Sequence, residues 1–530
     1  MDRRRFLGRV AAGVTATSAF PRVLRAGDRS ILDALDQTQD SAVAMAAIDA
    51  ARAAGASYAD ARVARVRQES IATREQRVTS VDSSDTYGLG VRVLVDGAWG
   101  FVASREVSVD EAAAVARRAV AQARANRARL RRPVELAPVQ VFRDVQWNTP
   151  IVRDPWDVPL EEKVDVMMRA NAAALTVRGA RFANSAMNFH TETVTLATTD
   201  GSLIVQTIHR SIPSLTVTAV AADGSDFQAR NSSEVPALQA GYEYIEEIDY
   251  VSLAPRLAEE AVQKLSARPV EPGRYDIILH PSNLFLTIHE SIAHPTELDR
   301  ALGYEANYAG TSFIAPPDQV IGKLRLGQEL MNIRAERTRP RALATTGWDH
   351  EGVPAQEWDI VKDGIFVNYQ TTREQAAWIA DLTGMEHSLG CSYAASWSDT
   401  PFQRMPNVNL VPATEDISTE DIIGDTRDGI YILGRGSYSI DQQRYNFQFG
   451  GQVFHEVKNG KITGMLKDVA YQARTPEFWN SMDAIGGTAT WHMGGTAGDV
   501  KGQPSQSNAV THGCPVARFR QVNVINTARG

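Results

Sequence analysis

The stretch YDIILHPSNLFLTIHESIAHPTELD, residues 275–299, opens as a strand and closes on two histidines. Tyr275 to Leu279 reads as a strand of the kind buried inside a sheet, and a short helix follows it. That element carries His289, Glu290 and His294. Two histidines and a carboxylate on one element are what a zinc hydrolase needs. Neutral imidazoles hold the metal, the metal lowers the pKa of a bound water to about 7, and the carboxylate takes the proton. In a regular helix, residues five apart diverge by about 140°. A π-bulge would bring the two rings together, and so would a helix ending near Ala293. Pro295 favours the second arrangement, because the residue before a proline avoids the α region. Two histidines in ordinary core or surface positions are the plain alternative.

Upstream, residues 41–56 are Ala-rich and amphipathic and predict a helix. Residues 60–81 alternate polar with apolar as paired strands do, and 91–102 form a hairpin about Asp96-Gly97. A second Ala-rich helix is predicted from Ser108 to Leu130, closed by Pro133. The arginines on and just after it, from Arg117 to Arg132, have no aromatic platform beside them, so they mark a solvated face and not an RNA surface. A helix over Leu160–Arg178, strands from Ala180 to Asp226 turning at Asp200-Gly201 and Asp223-Gly224, and a helix over Leu253–Ala267 complete this half. Residues 269–274, PVEPGR, mark a boundary. Beyond it, turns recur at Asp363-Gly364 and Asn459-Gly460, and glycines crowd the last hundred residues. The expected fold is α+β: an N-terminal α/β sheet-and-helix domain over 27–268, then a mostly β C-terminal domain over 275–530 that carries the metal-site helix.

The 530-residue length fits two or more cores. Two cysteines exclude a disulfide scaffold, and no apolar run of about 18 residues marks an integral membrane segment. A net charge of −8 argues against a nucleic-acid partner. Residues 1–26 pair Arg3-Arg4 with Arg5-Phe6-Leu7 and an apolar stretch from Val10 to Phe20. That predicts a signal peptide resembling the twin-arginine type, which carries proteins out already folded; a basic N-terminus on a cytosolic protein is the plain alternative. The expected location is therefore periplasmic or otherwise exported. Removal of six arginines and one aspartate with the signal takes the net charge to −13.

Further segments join the histidine stretch: GTSFI (310–314), DHEGVPAQEWDIVKDGIFVNYQTTRE (349–374), QRMPNVNL (403–410), FQFGGQVFHEVKNGKITGMLKDV (447–469), KGQPSQ (501–506) and THGCPVARFRQVNV (511–524). With HESIAHPTELD, and in this order, they resemble the TldD/PmbA metallopeptidase family across essentially the whole chain after the signal. The complete HExxxH resembles the TldD-like subunit; the PmbA-type partner lacks the metal motif. The resemblance implies a zinc-dependent peptidase for unfolded or flexible peptides, with one Zn2+ per chain or another divalent metal in its place. It implies His289 and His294 as ligands, Glu290 as general base, and assembly with a PmbA-like subunit or as a homodimer. The family's third ligand is a cysteine two residues before a lysine near the C-terminus. Anchoring on Lys501-Gly502-Gln503-Pro504 puts Asp499 at that place, with Cys514 and His492 as rivals. A His₂–carboxylate set is a known catalytic one, although the harder ligand admits other divalent metals. Glu297 and Asp299 match family positions that orient the histidines; capping or surface roles are the alternative. His455-Glu456 has no second histidine, and Cys391 is a lone thiol, its pairing with Cys514 unsupported by spacing. Two competing functions remain: a non-catalytic peptide-binding or scaffold subunit whose metal site has been retired, and a metal-dependent amidase or esterase.

Overall fold

The Ala-rich pattern after Ser41 belongs to helix α1, Ala26–Ala53, which begins well before the predicted start. Its buried residues Val43, Ala44, Ala47, Ile48 and Ala51 recur at steps of three and four, so one stripe faces the interior. Helix α2, Val109–Asn126, does the same with Ala112, Val115, Ala116, Ala119, Val120 and Ala123. Ser108 caps it by accepting from the Glu111 N–H. The helix stops short of Leu130 and continues as a single 3₁₀ turn, Arg127–Arg129. Its outer arginines are solvated, and Arg124 also donates to the Ala54 carbonyl oxygen. This computed structural model describes residues 26–529, with side chains over 37–528. The chain divides into two compact units, 1–40 and 41–530, and every sheet belongs to the second. The expected signal, 1–26, lies outside the described residues except for Ala26.

Both helices pack on a seven-stranded sheet of β1 (Tyr58–Arg74), β2 (Arg77–Val95), β3 (Ala98–Ser104), β4 (Val145–Asn148), β5 (Ala180–Thr198), β6 (Leu203–Val220) and β7 (Phe227–Asn231). The order is β3-β2-β1-β5-β6-β4, with β7 also on β6. Only β4–β6 is parallel. Asp96 and Gly97 both take positive φ, at 48° and 77°, which gives the β2–β3 hairpin the turn its twist demands. At Gly100 of β3, a Cβ would lie 2.2 Å from the Ala119 carbonyl oxygen of α2, so only glycine lets helix and sheet approach this closely. Helices α3 (Leu160–Leu175) and α4 (Tyr250–Ser266) pack together against β5 and β6. The second begins three residues before its predicted start, because Asp249 caps it and Pro255 sits inside it.

The C-terminal half is built on β8, Gly273–Leu279, in the middle of a ten-stranded sheet. Ile277 and Leu279 enter the largest hydrophobic cluster and Ile278 a smaller one, so both faces of β8 are covered. That is why Ile277-Ile278-Leu279 is apolar throughout and does not alternate. Strand β9 (Asn407–Leu410) edges a four-stranded sheet. Strand β10 (Asp428–Leu433) lies parallel to β8, and β11 (Val453–Lys458) pairs with β10. Near the C-terminus, β12 (His492–Lys501) and β13 (Gln506–Cys514) form a two-stranded hairpin, and β14 (Ala517–Asn526) returns antiparallel beside β8. The Asn407 and Asn409 side chains accept from the backbone of Thr511 and Gly513, which fixes the hairpin against β9. The result is α+β, with a sheet-and-helix N-terminal part and a largely β C-terminal part. Among the described residues, no helix is long and apolar enough to cross a membrane.

Candidate metal centre

Strand β8 feeds directly into helix α5, Pro281–Ile288, all eight residues of which are buried. Pro281 suits the first helical turn, and the His280 side chain caps it by accepting from the Ser282 N–H. The helix then widens into a π-turn, His289–Ala293, in which the His294 N–H reaches the His289 carbonyl. The extra residue in that turn cancels the 140° divergence, and the two imidazole centroids lie 4.6 Å apart. Of the two arrangements that would serve, the structure has the π-bulge. The expectation from Pro295 fails, because His294 keeps helical angles, φ −61° and ψ −48°, and the chain runs on as a 3₁₀ turn. The carbonyls of the turn are occupied: Thr296 Oγ1 donates to Ile292 and Ala293, and Gln370 Nε2 donates to Ala293. Ser291 accepts from the Trp479 indole at 2.9 Å, which pins the opposite side.

Asp499 arrives on β12, beside an irregularity in its pairing between Thr496 and Asp499. Its Oδ1 lies 3.7 Å from His289 Nε2 and 3.5 Å from His294 Nε2. Metal bonds of about 2.0–2.1 Å at tetrahedral angles set ligand atoms about 3.3–3.5 Å apart, so this triad is close to the size a metal ion requires. All three residues are buried, and their ligand atoms lie within 4.8 Å of one another. Arg404 donates to the other oxygen, Oδ2, at 2.9 Å and to the Asp499 carbonyl at 2.6 Å. Burial alone would raise the Asp499 pKa; the His294 and His289 rings and Arg404 hold it well below the usual carboxylate range.

Both imidazoles present a bare Nε2. His512 donates from Nδ1 to the Val408 carbonyl at 2.9 Å. Burial, with the His289 ring beside it, keeps His512 neutral by driving its pKa well down, so its Nε2 is an acceptor. His289 Nδ1–H therefore donates to it at 2.8 Å, and His289 Nε2 is left as a lone pair. His294 Nδ1–H donates to Glu297 Oε2 at 3.0 Å, which frees the second Nε2. Burial drops the His294 pKa to about 4, with Arg444 adding to the effect. Burial would raise Glu297 too, but the Lys501 ammonium, His294 and Arg300 hold it far below its ordinary value. Lys501 Nζ is fully buried among Glu297 Oε1 at 3.1 Å, Asp299 Oδ1 at 2.8 Å and two oxygens of Gln403.

Glu290 lies in the same cavity of about 300 Å³ as His289, His294 and Asp499, and its carboxylate is ion-paired to Arg444. Arg444 takes a left-handed backbone, φ 65°, which a non-glycine residue adopts at a cost and which recurs at functional sites. The rivals for the third position lie elsewhere. Cys514 is buried with its thiol toward the Pro281 carbonyl, and His492 is exposed and stacked on His280. Cys391 and Cys514 are both free. His455 sits in β11, where Glu456 pairs with Arg268. Sequence reasoning missed Arg404, Arg444, His512 and Gln370. Their one signal is that Gln370, Arg404 and His512 fall in the segments 349–374, 403–410 and 511–524 that carry the family resemblance.

Models of three successive domains match the chain: PmbA/TldA metallopeptidase domain 1 over residues 59–123, the central domain over 153–268, and the C-terminal domain over 272–526. The chain belongs to the PmbA/TldD metallopeptidase family. A protein named Metalloprotease from Methanothermobacter thermautotrophicus is 29% identical over 475 residues, which is 89% of this chain and 96% of the relative. The Zinc metalloprotease TldD homolog of Saccharolobus solfataricus is 23% identical, over 89% of this chain and 97% of its own. The crystal structure of TldE from Thermococcus kodakarensis superposes with a TM-score of 0.67 at 14% identity, covering 90% of this chain and 98% of that one. That last likeness concerns the fold of the family alone.

Proposed function

We propose that the chain is a zinc-dependent metallopeptidase that hydrolyses unfolded or flexible peptides, with Glu290 as general base. The observation that carries this reading is the buried His289–His294–Asp499 triad, its two Nε2 lone pairs already exposed, facing one cavity with Glu290. A bound metal would supply Lewis-acid polarisation to the peptide carbonyl and the attacking water. His289, His294 and Asp499 would hold it through Nε2, Nε2 and Oδ1. Glu290 takes the proton from that water and passes it to the leaving amine, while Arg444 fixes the direction of its carboxylate. Zinc suits a His₂–carboxylate set at one ion per chain. The name of the Saccharolobus relative supports zinc as well.

A flexible substrate fits the surroundings. Among the described strands, β12 pairs only with β13. On β12, Ala497 lines grooves of about 350 and 410 Å³, and Thr496 lines the smaller of them and the metal cavity. An unpaired strand edge offers N–H and C=O groups to an extended backbone. Arg77–Tyr87 of β2 is exposed along its whole length on both faces, which supports a second subunit, PmbA-like or another copy. The Arg3-Arg4 segment supports export by the twin-arginine route.

The test is metal analysis of protein purified without chelator, beside cleavage of an unfolded polypeptide. One zinc per chain is expected, and Glu290→Gln should keep the zinc and lose about 10²–10⁴-fold in rate. Undiminished cleavage by Glu290→Gln would refute the mechanism. A chain without stoichiometric metal, whose unfolding is indifferent to EDTA, would be the non-catalytic subunit instead.

A further inference from the structure

A second enclosed space lies away from the metal, where β6 meets the loops around Trp348 and Ser392. Arg337 forms part of its wall and is 4% exposed. Its Nε and Nη2 have no hydrogen-bond partner, and among the described residues no carboxylate pairs with it. A guanidinium cannot shed its proton, so a buried and unpaired one is the most costly polar group a fold can carry. Two more wall residues are short of partners: the Trp348 indole N–H and the Ser392 hydroxyl, both buried. A fourth donor follows from His350. Its Nδ1 accepts from the Ala394 N–H at 3.1 Å, and burial holds the ring neutral, so its proton is on Nε2.

One acid, Asp349, belongs to the wall itself, and both it and Glu192 are committed to other donors. Asp349 accepts from the backbone N–H groups of Glu351, Val353 and Ser392, at 2.8 to 3.0 Å. Glu192 accepts from the Tyr393 hydroxyl at 3.0 Å and from Arg210 at 3.5 Å. With the Asp349 carboxylate taken up by three N–H groups, the unpaired groups of the wall are donors around a fixed positive charge, and they ask for negative charge, not for a water that must donate two protons in return. The cavity volume is about 20 Å³, and one water needs about 10–15 Å³, so the occupant is a single small sphere.

We propose that this cavity, walled by Arg337, Trp348, His350 and Ser392, binds one halide-sized anion, chloride under ordinary conditions. Arg210, Tyr393 and Asn508 line both this cavity and the 410 Å³ groove, so the ion lies beneath the groove floor and braces it. The site is independent of the metal and of the peptidase reading.

Bromide is the probe. Crystals of the full chain soaked in sodium bromide and measured at the bromine edge should show an anomalous peak in the cavity. In solution at constant ionic strength, replacing gluconate with chloride or bromide should raise the Tm progressively once the halide exceeds its dissociation constant. Arg337→Met should abolish that response. Trp348→Phe, which removes one N–H and keeps the ring, should weaken halide binding about tenfold, and it decides the matter should Arg337→Met fail to fold. An empty cavity in the anomalous map would overturn the assignment. So would an unchanged halide response in Trp348→Phe, or acetate raising the Tm as chloride does.

Discussion

Replacing His512 with phenylalanine tests the organisation of the site without touching any ligand. The substitution keeps a planar ring in the same space and removes both nitrogens. His289 Nδ1–H loses the acceptor that stood 2.8 Å away, and the Val408 carbonyl loses the donor at 2.9 Å. Nothing then holds the His289 proton on Nδ1, so part of the population presents an N–H toward Asp499 and the metal. Outer partners of this kind are worth 10–100-fold in metal affinity. That is about 1.4–2.8 kcal/mol. The unpaired buried carbonyl adds a cost of about 1–3 kcal/mol in stability. The assay is competition of chelator-stripped protein against a chromogenic zinc chelator, with urea unfolding of the same samples. His512→Gln, whose amide can accept and donate, should recover part of the affinity. Zinc affinity within twofold of wild type, alongside lowered stability, would show His512 to be a packing residue and would refute the tautomer argument.

Further outcomes come from the same geometry. Asp499→Ala should lose bound metal, whereas Cys514→Ser and His492→Ala should keep it; metal analysis of the three variants separates the rivals. Asp499→Cys should retain metal and shift its preference toward zinc over manganese, because a thiolate is softer than a carboxylate, as competition between the two metals would show. Lys501→Met leaves Asp299 buried without a side-chain cation, while Glu297 keeps Arg300, and should cost about 3–5 kcal/mol in denaturant unfolding; a cost under about 1 kcal/mol would mean the ammonium is not what holds Asp299. His190 has its pKa lowered to about 3 by burial, with Arg210 beside it, so its neutral form stabilises the fold above the unfolded value near 6.5, and that contribution is lost as pH falls. Between pH 7 and pH 5, wild type should therefore lose about 2 kcal/mol more than His190→Gln, and equal losses would contradict the shift.

Local chemistry was visible in the sequence, and long-range partnership was not. The spacing of His289 and His294 demanded a π-bulge or an early helix end, and the choice fell to Ile292 and Ala293 carbonyls satisfied by Thr296 and Gln370. Gln370 lies more than seventy residues away, so no local pattern predicts it. Asp499 was found only because Lys501 marks the place, and Lys501 itself proved to be the buried cation that joins Glu297 to Asp299. Arg444 and His512 have no periodicity to betray them, since an ion pair or a ring contact across more than 150 residues depends on sheet order. The hairpin at Asp96-Gly97 and the two Ala-rich helices were legible because turn chemistry and 3.6-residue periodicity are local. The strand order β3-β2-β1-β5-β6-β4 was not, because pairing between distant strands follows from packing of the whole domain.

The triad draws two ligands from one turn and the third from β12, more than two hundred residues further on. During synthesis, His289 and His294 emerge long before Asp499, so no complete site exists until almost the whole chain has left the ribosome. On the proposed function, a nascent or prematurely terminated product would therefore carry the histidine pair and Glu290 without the third ligand. The chain would gain its complete ligand set only once the β12–β13 hairpin has been made and has folded back onto the turn that follows α5.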